Sequence, residues 1–309
     1  MSTLPAGRRT HVSAPNDIGV RQDLEENLER LAALRALYSR AKSVRGASAL
    51  VATLLAVASP LVTLYWPKGS AGLALGALVW ALVELVLLDG LEEKNRQEAA
   101  LIQEEFDTRV FGLPWNEALG ARPAPELVVA AGKAGKGDPK LKGWYADVSR
   151  LPRSLAILLC QRSGLAWDHR SRAWYQTFLA AVALLLALGA VALAMGTRQS
   201  LTEFLVNFAL PVLPAVQHAI KTFKAHRRAG AEQERLRDEL ASAWEGGLAS
   251  GGNLHEAQLR RVQDRLLLLR REQTPIPDVL YRLLRPASEA TMHEATRRLI
   301  DDAVRQLGR

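Results

Sequence analysis

TFLAAVALLLALGAVALAMG, from Thr177 to Gly196, holds no ionisable side chain in a chain of which 23% is charged. A bilayer core is crossed by about 20 consecutive apolar residues in a helix, so this stretch reads as a transmembrane span. Three further windows follow the same logic. ASALVATLLAVASPLVTLYW (Ala47 to Trp66) and AGLALGALVWALVELVLL (Ala71 to Leu88) stand on either side of PKGS and read as a hairpin. LTEFLVNFALPVLPAVQHAI (Leu201 to Ile220) carries Glu203, Asn207, Pro211 and Pro214, yet its length and its short link to the span before it favour a return crossing over a buried soluble helix. A mean hydropathy of −0.02 averages these windows away.

Working outward, the expected fold class is an all-α membrane protein. Four transmembrane helices form two hairpins, with a helical cytosolic domain built from the N-terminal, middle and C-terminal segments. The expected divisions are 1–46 (cytosolic N-terminal helix), 47–88 (hairpin one), 89–176 (cytosolic middle segment), 177–220 (hairpin two) and 221–309 (cytosolic C-terminal helices). Arg40, Lys42 and Arg45 precede the first span, Lys94 and Arg96 follow the second, Arg170 and Arg172 precede the third, and Lys221 and Lys224 follow the fourth. The two hairpin loops offer only Lys68 and Arg198, so both termini are expected in the cytoplasm of a multi-pass inner-membrane protein. The first apolar run starts well beyond the window of a secretory signal, which makes the first span an anchor.

The formal net charge is +8 and the isoelectric point about 9.9. Much of that excess lies at the membrane boundary, where it serves topology and anionic headgroups, so no DNA or RNA partner is expected. Cys160 is the only cysteine; no intrachain disulfide can form, which fits a reducing compartment.

The soluble segments need one another. Leu24, Leu28, Leu31, Leu34 and Tyr38 recur at helical spacing, as do Leu236, Leu240 and Ala243, then Leu259, Val262, Leu266 and Leu269. Each is a single apolar stripe that must bury against a partner. Asn253 with Glu256 three residues on has the pattern of a cap opening a helix. TPIP (Thr274 to Pro277) ends that helix, and a last one runs from about Ser288 to Leu307 with Ile300 and Val304 on one side. In the middle segment FDTRVFGLPWN (Phe106 to Asn116) breaks a charged helix at Gly112 and Pro114. GKAGKGDPKLKG (Gly132 to Gly143) reads as a basic flexible loop; Asp138 and Pro139 stand where a phosphate-binding loop requires Lys and Ser or Thr, which excludes that motif.

No zinc-protease, nucleophile-elbow, dinucleotide or EF-hand pattern is present, and no catalytic residue, metal or cofactor is expected. Cys160 and His169 would lie about 13 to 14 Å apart along a continuous helix, so an inert buried cysteine is the better reading. Trp167, Trp174 and Tyr175 among Arg170 and Arg172 fit an interfacial anchor, and the same combination can stack a base and pair a phosphate. Ionisable and polar groups in the spans are functional candidates by default. Glu84 either serves that role or reaches the cytoplasmic interface. Asn207, Pro211 and Pro214 mark either a water-lined path or an ordinary kinked helix inside the bundle.

Four blocks in order, LAALRALYSRAK (Leu31 to Lys42), FDTRVFGLPWN, LLCQRSGLAWDHRSRAWY (Leu158 to Tyr175) and PIPDVLYRLLR (Pro275 to Arg285), resemble the S-4TM family, the SMODS-associated four-transmembrane effectors. The resemblance covers nearly the whole chain. It implies a pore-forming effector of bacterial antiphage defence, a homo-oligomer in the inner membrane acting on the lipid bilayer. The trigger it implies is a cyclic oligonucleotide made by a neighbouring nucleotidyltransferase. Leu34, Gly164 and Val279 stand where the family prefers Gln, Asn and an aromatic residue; these departures bear on ligand contact rather than membership. If a ligand is felt in the third block, Arg162, Arg170 and Arg172 would neutralise phosphates and Trp167 would stack. The rival from another class is a membrane-anchored sensor or scaffold that never conducts.

The topology is tested by fusing reporters to both ends and probing them in intact cells. Both should be shielded from an impermeant reagent, while a cysteine replacing Lys68 or Arg198 should react.

Overall fold

The apolar windows are parts of longer helices that run on into charged sequence. The structure, a computed structural model, describes residues 16–135, 137–166, 169–196, 200–273 and 294–308. A short α1 (Ile18–Gln22) precedes α2 (Glu25–Tyr65), whose 41 residues carry the N-terminal stripe straight into the first apolar window. After a turn at Pro67–Gly69, α3 (Ser70–Val83), a π-helical turn (Glu84–Leu88) and α4 (Asp89–Phe111) follow without a break. Gly112 ends α4 with φ 63°, a left-handed geometry that costs glycine nothing, and the Leu113 N–H closes on the Thr108 carbonyl at 3.0 Å. The expected break at Gly112 is therefore found.

Next come α5 (Pro125–Gly132), α6 (Arg153–Ala166), α7 (His169–Gly196) and α8 (Leu201–Phe204). A second π-helical turn (Leu205–Ala209) leads into α9 (Leu210–Ala249), followed by α10 (Glu256–Glu272) and α11 (294–306). Among the described residues there is no strand. Three continuous helical runs there are long and apolar enough to cross a membrane: Glu25–Tyr65, Pro67–Phe111 and Leu201–Ala249. The most secure window of the sequence lies inside α7, where Ala180–Gly189 is the apolar stretch identified; several α7 side chains lie outside those described.

The apolar end is packed inside out relative to a soluble bundle. Along α2 the buried face is small, with Ser48, Ala52, Ala56, Ser59 and Thr63 at successive turns. Leu50, Leu54, Leu61 and Leu64 of the same helix are more than half exposed, as are Leu75, Val79, Leu82 and Leu85 on α3 and its π turn. Water would penalise so much contiguous apolar surface. In hydrocarbon leucine needs no burial, and small residues let backbones approach closely.

Polar contacts fix the register. Tyr38 meets Gln103 and Glu26 meets Arg109, so α2 and α4 run antiparallel. Arg45 reaches Thr222 and Ser59 reaches Asn207, which makes α2 antiparallel to the Leu201–Ala249 run. Glu84 meets His218 and Asp89 meets Lys221, so the α3–α4 run lies parallel to it.

At the charged end the three soluble stretches share one core: Leu31, Leu37, Phe106, Leu155, Leu240 and Val304 belong to a single buried cluster. That core encloses a polar centre. Asp107, fully buried, accepts from Tyr145 Oη at 2.6 Å, Arg270 Nη1 at 2.6 Å and Gln263 Nε2 at 3.0 Å. Gln263 also donates to Glu104 at 2.8 Å, and Arg260 pairs with Glu104. Burial opposes the charge on Arg270, but Asp107 together with Tyr145, Tyr38 and Glu104 more than offsets it; burial and Asp107 together push the Tyr145 hydroxyl up.

Two local expectations change. GKAGKGDPKLKG is not loose: its described residues form the end of α5 and two 3₁₀ turns against α2, with Leu141 buried and Asp138 paired to Arg35 at 2.7 Å. A Cβ on Gly132 would lie 3.1 Å from the Glu29 carbonyl oxygen, so glycine there serves close approach. Asn253 is not the cap of α10: that helix opens after His255, and the Asn253 amide donates back to Ser250 O. The preceding turn at Ser250–Gly252 already holds Asn253, and α9 continues through Gly246 and Gly247 to reach it.

Replacing Asp107 by Leu leaves the buried Arg270 guanidinium without a counter-charge, a change that costs about 3–5 kcal/mol. Thermal melting in detergent should show a much lower midpoint for Asp107→Leu, and a smaller loss when Arg270→Leu is added.

A polar junction where three apolar helices meet

Glu84 opens a π-helical turn, a feature that appears often at functional positions because one extra residue re-aims the side chains around it. His218 Nδ1 lies 2.9 Å from Glu84 Oε1, with the two side chains only 8% and 12% exposed. Nδ1 is the ring nitrogen that donates to the carboxylate, and Nε2 is buried without a hydrogen-bond partner. Lys221 pairs with Asp89 one turn on, and Arg96 holds Glu92 at 3.0 Å. From α2, Arg45 Nη2 donates to Thr222 Oγ1 at 2.6 Å. A cavity of about 10 Å³ lies among Arg45, Ser48, Glu84, Asp89, Glu92 and His218. That is room for a single water.

The second junction sits further along the same helices. Pro211 has no N–H to give the Asn207 carbonyl four residues back. Ser59 Oγ of α2 donates to that carbonyl instead, with Thr63 Oγ1 at 3.5 Å. Pro211 and Pro214 are buried, and the Leu205–Ala209 π turn takes up the misfit before them. The carbonyl freed by proline faces protein.

The third block divides. Cys160 is 2% exposed, and burial, reinforced by Asp107, pushes its thiol far up, which disfavours the thiolate. Its neighbour Gln161 donates to Leu259 O at 2.9 Å and Gln263 Oε1 at 3.1 Å, tying α6 to α10. Arg162 is half-buried; burial and the like charge of Arg237 on α9 draw its pKa down. Trp167 lies outside the described residues, and α7 includes Arg170 and Arg172 without their side chains being described. Of the four ligand candidates, only the Arg162 side chain falls among those described. Among the described residues no three His, Cys, Asp or Glu side chains group to hold a metal.

Sequence reading singled out Glu84 but passed over His218, Ser48, Arg45 and Arg237. The rule that marked Glu84, an ionisable group inside an apolar window, marks His218 equally; only tertiary register makes them partners.

Over residues 16–299 the chain matches the family model described as SMODS-associating 4TM effector domain. The chain belongs to this family. A relative described as a probable CBASS effector molecule, from Bacillus cereus (strain VD146), is 26% identical over 290 residues, covering 90% of this chain and 97% of its own length. No solved structure matches. The family and the apolar helices together make this effector a membrane protein of a defence system.

Burial of Cys160 predicts that maleimide leaves the native effector unmodified at neutral pH and labels it fully once denatured. Labelling of the folded protein at a rate near that of free cysteine would contradict the packing of α6.

Proposed function

We propose that the chain is a non-enzymatic effector of antiphage defence that permeabilises the bacterial inner membrane when triggered. It crosses four times in two hairpins, with both termini in the cytoplasm. Its trigger is a cyclic oligonucleotide from a neighbouring nucleotidyltransferase, sensed directly or through a partner. Family membership and the probable CBASS effector relative support the defence setting.

One observation carries the four-span part. The run containing α3 and α4 lies parallel to the Leu201–Ala249 run, since Glu84 meets His218 and Asp89 meets Lys221. Two parallel crossings of one chain require an odd number of crossings between them. The apolar stretch of α7 supports one. The parity argument thus points to the same crossing that the length and composition of Thr177 to Gly196 lead one to expect.

Small residues and paired polar groups fill the space between the helices, so a conducting path needs several copies or a rearrangement. The same closed packing favours a second reading, a sensor or scaffold that recruits a partner and never conducts. For the trigger, Arg162 beside Arg237 supplies a desolvated positive site, and Arg170, Arg172 and Trp167 follow it in sequence.

Purified effector in dye-loaded phosphatidylethanolamine and phosphatidylglycerol vesicles should release dye when a mixture of synthetic cyclic dinucleotides and trinucleotides is added. Removing charge at Arg162, Arg170 and Arg172 together should abolish the response. Cells expressing the triggered effector should lose membrane potential. Tight vesicles and intact potential under all triggers would leave the scaffold reading standing instead.

A further inference from the structure

Asp89 has Lys221, Glu92 has Arg96, and Arg45 bonds Thr222, whereas the Glu84 carboxylate, with Ser48 of α2 beside it, is joined to the Leu201–Ala249 run by the His218 imidazole. Parting the two runs at this level would leave a carboxylate and an imidazole in a poorly solvated mouth, a costly state unless water enters with them. The contact is therefore either made and dry or broken and wet, with little stable ground between. His218 lines the one-water cavity, and its buried Nε2 has no hydrogen-bond partner, so a first water entering there would meet an unsatisfied ring nitrogen.

We propose that the Glu84–His218 contact is an autoinhibitory clamp holding the second and fourth spans together in the resting effector. This deepens the permeabilisation reading and rests on it. Leucine in either position removes one partner and strands the other, whereas leucine in both replaces the pair by an apolar contact that needs no water.

The test is a double-substitution cycle in full-length protein, read by dye release without trigger and by melting in detergent. Glu84→Leu and His218→Leu should each leak about 10-fold faster than the native protein and melt about 3 °C lower or more. The combined Glu84→Leu/His218→Leu protein should return to within about twofold of native leakage and close to the native melting point. If the native protein releases dye on addition of the cyclic nucleotide mixture but both single variants stay tight without it, the clamp is wrong and permeabilisation stands. If the combined variant leaks as fast as the faster single one, the contact is mere packing and the clamp is wrong. If no form leaks under any condition, permeabilisation itself fails and takes the clamp with it.

Discussion

A backbone carbonyl or carboxylate at the edge of hydrocarbon must find its partner inside the protein, because lipid offers none. The apolar end of this chain is arranged around that requirement. Pro211 takes away the N–H that would have served Asn207 O, and Ser59 of α2 supplies the missing donor. Glu84 accepts a hydrogen bond from His218, and Arg45 finds Thr222. Each bond joins residues more than 130 positions apart. Between them they decide which helices run alongside and in which direction.

The same helices carry the charged core. α2 holds Leu31 and Leu37 of that core as well as Ser48 and Ser59 of the apolar end; α9 holds Leu236 and Leu240 as well as His218. Neither helix is interrupted between those positions. The packing around Asp107 and the polar junction are thus joined by continuous helix, with no loop between them. The buried Asp107, Arg270, Tyr145 and Gln263 set makes that core specific in register.

Much of this was legible in the sequence, in proportion to how local the signal was. Twenty apolar residues without charge need no tertiary knowledge to be read, and the amphipathic stripe ending at Tyr38 announced a buried face, which Leu31, Leu34 and Leu37 fill. Leu24, counted in the same stripe, is 44% exposed because it precedes the first turn of α2. GKAGKGDPKLKG looked loose because its glycines suggest freedom, whereas Gly132 lets α5 approach the α2 backbone. Asn253 and Glu256 matched a cap pattern that the turn before them had already used. His218 was missed because its meaning depends on Glu84, 134 residues earlier. Arg162 lies under the like charge of Arg237 from α9, which no local pattern indicates.

The central claim, a closed bundle with α2 antiparallel to the Leu201–Ala249 run and bonded to it through Ser59 and Asn207, is tested most directly by cross-linking in membrane vesicles. In a Cys160→Ala background, cysteines replacing Ser59 and Asn207 should form an intrachain disulfide rapidly under mild oxidation, and cysteines replacing Ser59 and Thr222 should not. Cross-linking of the second pair in preference to the first would contradict the account.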